Sequence, residues 1–287
     1  MLEEERRRLT DLPFPVGVRA LLPEDARRRR EIERVIVEGL TGSGYREVIL
    51  PVLDFAEPYT GLSGASTSRE SYRLIDREGE LLTLRADFTP MAARAVAPWL
   101  EVIGLPLRLF YRGDVVRCES ARLGSNREYF QIGAELIGDD SRAADVEIVR
   151  CAIDAASGSR SRLTVSIGDA GVARIALRSP GGELGRRLID GTLDLECVAG
   201  NAETAEAASR LTTLADEVGA IGTRVVVTFD REDAGDYYTG VRFQIYAQGA
   251  ATPVAKGGRY DSLYGSFGTG APAVGFTLNV DALEAMQ

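Results

Sequence analysis

The segment REYFQIGAELIG, Arg127 to Gly138, changes polarity at almost every residue. Phe130, Ile132, Ala134 and Leu136 fall on one parity, and Tyr129, Gln131, Gly133 and Glu135 on the other. Side chains alternate between the two faces of a strand, so this period of two demands a sheet with one apolar face to cover. The other face carries an amide and a carboxylate roughly 13 Å apart along the strand. Two readings of that face are open. It is either wet and half-buried, or the floor of a small-molecule site in which Gly133 lets a ligand approach the backbone.

The flanking sequence tells what kind of sheet this is. PEDARRRREIERVIVEGLTGSGY, Pro23 to Tyr45, has helical spacing through Ile32, Val35, Ile36, Gly39 and Leu40, and the Gly42/Gly44 pair stops it. The run Arg27 to Arg30 reads as a solvated helix face. YREVILPVLDF gives a short strand broken by Pro51, and LSGASTSR (Leu62 to Arg69) a polar loop. YRLIDREGELLTLR is a hairpin turning near Glu78-Gly79. A helix over Pro90 to Leu100, two strands PLRLFYRG and DVVRCE, and a helix over Ser141 to Ala156 with a capping serine follow. Strands in succession favour an antiparallel sheet with helices packed on it, an α+β fold. Residues 171–222, rich in alanine, glycine and leucine, read as a small, mainly helical insertion. Residues 1–170 and 223–287 then form the main domain, with strands RVVVTF, VRFQIYAQ and AVGFTLNV returning to the sheet.

Composition removes several chemistries. The 287 residues contain no histidine, which excludes imidazole bases, histidine triads and nearly all zinc-enzyme signatures. Lys256 is the single lysine beside 33 arginines, so no phosphate-binding GxxxxGK[ST] loop exists. Cys118, Cys151 and Cys197 form no CxxC pair and read as buried thiols rather than a disulfide framework or metal site. A net charge of −9 argues against nucleic acid, whose binders neutralise phosphates. No apolar run approaches the roughly 18 residues of a membrane span. The charged start MLEEERRRLTDLPF has no signal-peptide segment, so the expected location is cytoplasmic.

Several motifs in order resemble the catalytic domain of class II aminoacyl-tRNA synthetases, specifically histidyl-tRNA synthetase, from about Pro13 to Leu283. GYREVILPVL is similar to the first class II motif, an element of the dimer interface. LFYRGDVVRCE with GSNREYFQIGAELIG is similar to the second, and DYYTGVRF and KGGRYDSL to the two histidine-specific segments. The resemblance implies a histidine pocket whose floor is EYFQIGAE. Gln131 and Glu135 match the family's glutamine and glutamate, Asp87 and Thr89 its α-amino holders, Arg117 the arginine near the carboxylate, and Tyr237 and Tyr238 the pair that closes over the imidazole. An Arg117–Glu119 salt bridge is the competing role for that arginine. Apart from the resemblance, a carboxylate for the ammonium, a donor for the carboxylate and acceptors for the ring are what free histidine needs.

The departures imply the activity. Asp233 stands where the synthetases carry a phosphate-contacting arginine, and Ala282 where the third motif carries its ATP-clamping arginine. Asp87 replaces the usual glutamate and Ala86 the usual proline, and the expectation is of a protein without the anticodon-binding domain. Such a chain resembles the synthetase-like regulatory subunits of ATP phosphoribosyltransferase. That resemblance implies a non-catalytic protein without cofactor or metal, self-associating as a dimer. Its partner is a short-form catalytic subunit in a hetero-octamer, its effector is L-histidine acting by feedback inhibition, and no tRNA is expected. The loop Leu62 to Arg69 and the tyrosine segment are the candidate moving parts. A trimmed class II adenylating enzyme, a synthetase fragment, and a scaffold that has lost its ligand are the alternatives.

Overall fold

The computed structural model describes residues 14–62, 71–118, 126–157, 162–231 and 237–286. Its large sheet is made of β1 (Arg46–Glu47), β5 (Leu107–Val116), β6 (Glu128–Ile137), β7 (Leu163–Asp169), β8 (Arg224–Val227), β9 (Val241–Ala247), β10 (Ala255–Arg259) and β11 (Ala273–Asn279). Their spatial order is β1-β5-β6-β11-β10-β9-β7-β8. The interior pairs are antiparallel, and only the two outermost, β1–β5 and β7–β8, are parallel. A second sheet is built from β2 (Leu53–Phe55), β3 (Arg73–Ile75) and β4 (Leu81–Leu84), with β4 in the middle. The α+β expectation therefore holds.

Helices cover one face. α1 (Pro23–Gly42) and the helices Arg142–Ala156 and Ala205–Gly219 pack Ile32, Ile36, Leu40, Ile148, Val149, Leu211 and Leu214 against Ile132, Ala134, Leu136, Ile245 and Phe276. That layer takes up the apolar parity of β6. Ser141 caps its helix as expected, its Oγ accepting from the Ala144 N–H at 3.2 Å. Parallel neighbours need a long crossover, and between β7 and β8 the chain supplies four helices: Ala170–Arg178, Glu183–Ile189, Leu195–Ala199 and Ala205–Gly219. Their apolar side chains, Ala176, Leu188, Val198 and Leu211 among them, join the same core.

Several sequence expectations need correction. PLRLFYRG and DVVRCE are one continuous strand, β5, which passes through Gly113 at a φ of 147°. Pro51 separates β1 from β2, and these strands belong to different sheets. The segment expected as one helix over Pro90 to Leu100 is a helix Thr89–Val96, a 3-10 turn Ala97–Trp99 and a short helix Leu100–Ile103. β7 and β10 were not among the expected strands, although Leu163, Val165 and Ile167 of β7 alternate with Thr164, Ser166 and Gly168. On α1, Val35 is exposed while Glu33 is buried and bonded to Arg112 at 2.6 Å and to Arg30. The arginine run is not uniformly solvated either. Arg29 donates to Glu284 at 2.7 and 2.6 Å and to Asp281, whose other oxygen accepts the Phe130 N–H at 2.7 Å. Cys118 is exposed, and Cys151 and Cys197 are half-buried; all three are free thiols. Among the described residues no helix is long and apolar enough to cross a membrane.

Candidate functional site

Three adjacent strands fix the site in rows. Gly113, Gln131 and Asn279 face one another across β5, β6 and β11; Tyr111, Gly133 and Thr277 form the next row, and Leu109, Glu135 and Gly275 the third. These residues share the face that the helical layer leaves uncovered. Both parities of β6 from Phe130 onward are nonetheless buried, so neither side of the strand is wet.

Gly133 does not open the backbone to a ligand, because a tyrosine takes the space. A Cβ there would lie 2.5 Å from the Tyr111 ring and 2.6 Å from both the Tyr111 hydroxyl and the Phe276 carbonyl. The Tyr111 ring crosses its glycine neighbour and stacks on Phe88 with centroids 4.4 Å apart. Phe88 in turn carries the Arg85 guanidinium 3.9 Å above its ring. Arg85 is buried and donates to the carbonyls of Leu50, Pro51 and Asp114 at 2.7 to 3.1 Å. It therefore ties β5, the chain before β2 and the segment entering the Thr89 helix into one support.

That support aims at Glu135. Its Oε1 accepts from the Tyr111 hydroxyl at 2.8 Å and from Thr89 Oγ1 at 2.9 Å. Oε2 is buried with no hydrogen-bond partner among the described residues. Complete burial raises the carboxyl from its ordinary 4.5 to about 8; the two hydroxyl donors pull the other way without cancelling it. Burial likewise drives the Tyr111 and Tyr264 hydroxyls well above the usual tyrosine range. At neutral pH, Glu135 is accordingly a neutral acid with one unmatched oxygen. Gly275 makes the room: a Cβ on it would overlap both Glu135 Oε2 and the Tyr260 hydroxyl. Tyr260 and Tyr264 also end in buried hydroxyls without partners among the described residues.

Asp87 accepts the Thr89 N–H at 3.1 Å, and the Tyr237 hydroxyl reaches its other oxygen at 3.5 Å. Tyr237 packs on Tyr238 at 5.0 Å and edge-on to Tyr260 at 5.6 Å. Tyr238 covers Gly258, where a Cβ would meet its ring at 2.8 Å. Gln131 is 5% exposed, and its Oε1 has no partner among the described residues. Asp87, Thr89, Glu135, Tyr237 and Tyr238 are thus linked by contact into one cluster, with Gln131 one row of the floor beyond Tyr111. A cleft lined by Tyr59, Arg73, Thr83, Arg85 and Met91 reaches Asp87 from the second sheet.

Arg117 stands apart from this cluster. Its Nε donates to the Ala86 carbonyl at 3.1 Å and its guanidinium lies 5.6 Å from the Tyr129 ring, so it braces the Asp87 segment. Glu119, Asp233 and residues 63–69 of the expected loop lie outside the described residues. Ala282 falls in the short helix Val280–Glu284, where its N–H donates to Asn279 Oδ1 at 3.2 Å. Sequence reasoning missed Arg85, Phe88, Tyr111, Tyr260 and Tyr264. Only the glycines opposite them, Gly113, Gly133 and Gly275, signalled large side chains crossing the sheet. Among the described residues no cluster of three or more Cys, Asp or Glu side chains is arranged to hold a metal ion.

Comparison with known proteins decides the family. The histidyl-tRNA synthetase family profile matches residues 17–190 and 189–283. The ATP phosphoribosyltransferase regulatory subunit of Moorella thermoacetica is 33% identical over 315 aligned positions, covering 95% of this chain and 81% of that protein. That of Geobacter sulfurreducens is 32% identical, covering 95% and 72%. The chain belongs to the synthetase-like family of ATP phosphoribosyltransferase regulatory subunits. A solved structure from Bacillus halodurans C, described as an ATP phosphoribosyltransferase regulatory subunit/histidyl-tRNA synthetase, superposes with a TM-score of 0.82 at 28% identity, covering 96% of this chain and 83% of that one. Apo histidyl-tRNA synthetase from S. aureus, at 21% identity and a TM-score of 0.70, shares the fold. In this regulatory subunit Asp281 and Glu284, on either side of Ala282, are locked onto Arg29 of α1, so the helix bearing Ala282 offers its acids to the scaffold.

Proposed function

We propose that the cleft over β6 and β11 holds free L-histidine, and that its occupancy relays feedback inhibition to a short-form ATP phosphoribosyltransferase catalytic subunit. The chain is a regulatory subunit of that transferase, without turnover of its own, and serves the first step of histidine biosynthesis.

The observation that carries the ligand reading is the pair of buried, unmatched polar groups, Glu135 Oε2 and the Tyr260 hydroxyl, flanking Gly275. Leaving such groups unpaired costs about 1–3 kcal/mol each, which favours a ligand that satisfies them. An imidazole offers one ring nitrogen as donor and one as acceptor. Either placement of the shared proton gives a hydrogen bond to Glu135. Asp87, Thr89 and the orphan Gln131 Oε1 supply acceptors for the ammonium, while Tyr237 and Tyr238 form a roof over the ring. Arg117, the residue that the resemblance sets near the carboxylate, lies behind Asp87 on the Ala86 carbonyl.

Regulation then requires only that histidine bind one arrangement of the complex better than another, since the difference in affinity is what shifts the populations. Self-association through the first-motif element, a hetero-octamer with the catalytic subunit and a cytoplasmic location belong to the same proposal. Isothermal titration of the full chain with L-histidine tests it. Binding is expected, and Glu135→Ala and Gln131→Ala should each weaken it with the fold intact by circular dichroism. Unaltered binding in both variants, or no binding by the wild type, overturns the site. Histidine- and ATP-dependent pyrophosphate exchange should be silent.

A further inference from the structure

The histidine reading leaves open which cation receives the ligand's carboxylate, and the register of β10 bears on that question. Lys256 pairs with Thr277 on β11 and Gln244 on β9, and Gly258 pairs with Gly275 and Arg242. Even-numbered residues of β10 therefore share the site face, whereas Arg259 points to the helical layer and binds Asp145 at 2.7 Å. Lys256 thus borders the pocket on two sides. Across the ladder, Thr277 Oγ1 lies 3.4 Å from the Tyr111 hydroxyl that bonds Glu135. Along the strand, Gly258 lies under Tyr238.

Its surroundings are unusual for a lysine. Val254, Ala255, Gly257, Gly258, Arg259 and Tyr260 are all buried, yet Lys256 is exposed in the middle of the sheet, with strands paired on both sides. Among the described residues its ammonium has neither an ion-pair nor a hydrogen-bond partner. The other cations near the cleft are committed. Arg85 is held by three carbonyls and Phe88, and Arg117 by the Ala86 carbonyl and the Tyr129 ring; Arg73 and Arg242 have partners of their own.

We infer that Lys256 is the cation that receives the carboxylate of the amino acid in this pocket, and that Arg117 acts as a positioning residue through Ala86 and Asp87. This assignment rests on the histidine reading. A ligand with its imidazole on Glu135 and its ammonium toward Asp87 presents its carboxylate to the remaining edge, which is the Lys256 side. A four-carbon stem rising from the cleft floor delivers a point charge there without needing a fixed fork geometry.

Titration of the full chain with L-histidine and with histamine, which is histidine without its carboxylate, tests the assignment. Lys256→Ala should weaken L-histidine about tenfold or more and leave histamine within about twofold, a selectivity set by one charge-assisted contact. Lys256→Arg should recover most of the loss. Arg117→Ala should weaken both ligands by a similar factor. The assignment is overturned if Lys256→Ala binds L-histidine as the wild type does, which makes it a solvated lysine. Equal loss for both ligands, or an Arg117→Ala loss confined to L-histidine, overturns it as well. Wild-type protein that binds no L-histidine instead defeats the reading of the site itself, an outcome visible without any variant.

Discussion

Glu135→Gln should make the protein's stability respond to pH differently from the wild type. In the folded chain, burial lifts the Glu135 carboxyl from 4.5 to about 8. Between those two values the unfolded chain releases a proton that the folded chain keeps, so stability is fully present below pH 4.5 and declines as pH rises toward 8. Each unit in that window removes about 1.4 kcal/mol, and integrating from about pH 5 to about pH 8 gives roughly 3 kcal/mol. Glutamine is close in shape, still accepts from Tyr111 and Thr89, and does not titrate. Its buried amide imposes some fixed penalty, but a fixed penalty cancels when one variant is compared with itself across pH. Urea unfolding of both proteins at pH 5, 6, 7, 8 and 9, without ligand, reads the difference. The variant's stability relative to wild type should rise by roughly 3 kcal/mol between pH 5 and pH 8 and level off above. Parallel pH curves would mean that Glu135 is ionised in the fold at neutral pH, and the account of its unmatched oxygen would be wrong.

Further variants probe the scaffold. Gly133→Ala places a Cβ 2.5 Å from the fully buried Tyr111 ring and 2.6 Å from the Phe276 carbonyl, whose backbone is held in the β6–β11 ladder. Thermal and urea unfolding should show a loss of about 3 kcal/mol. Gly39→Ala on α1 meets nothing within 4 Å and should gain about 0.5–1 kcal/mol from helix propensity in the same assay. Asp145 is buried between Arg259 at 2.7 Å and Arg210 at 2.5 Å. Asp145→Ala takes from the buried Arg259 guanidinium its closer carboxylate and leaves it Asp261 at 3.1 Å and the Asp139 carbonyl; the loss should be about 3 kcal/mol, whereas a change below about 1 kcal/mol would show that Asp261 alone balances the charge.

Much of the fold was legible because its signals are local. The alternation of β6, the Ser141 cap, the turn at Gly79 and the end of α1 each depend on residues within a few positions of one another. Where local signals were weak, the reading slipped. β10, the AKGGR stretch, contains two glycines and two charges and looks like a loop, yet its neighbours on both sides pair with it. Gly113 looked like a break between two strands, yet the ladder to β6 runs on through it. Arg29 looked like one of four solvated arginines, because its acids, Asp281 and Glu284, lie 252 and 255 positions away.

The candidate site divides the same way. The amino-acid order alone determined that Gln131, Gly133 and Glu135 share one face of a strand, that imidazole and lysine-loop chemistries are missing, and that cations are absent at 233 and 282. Only the tertiary structure decided that Tyr111 fills the gap over Gly133, that Thr89 and Tyr111 meet on one oxygen of Glu135, and that its other oxygen is left unmatched beside Gly275. The reason is physical. Which face a side chain takes follows from backbone geometry within the strand. Burial, and with it the proton on Glu135, depends on groups brought to the same place from 24 to 140 residues away along the chain.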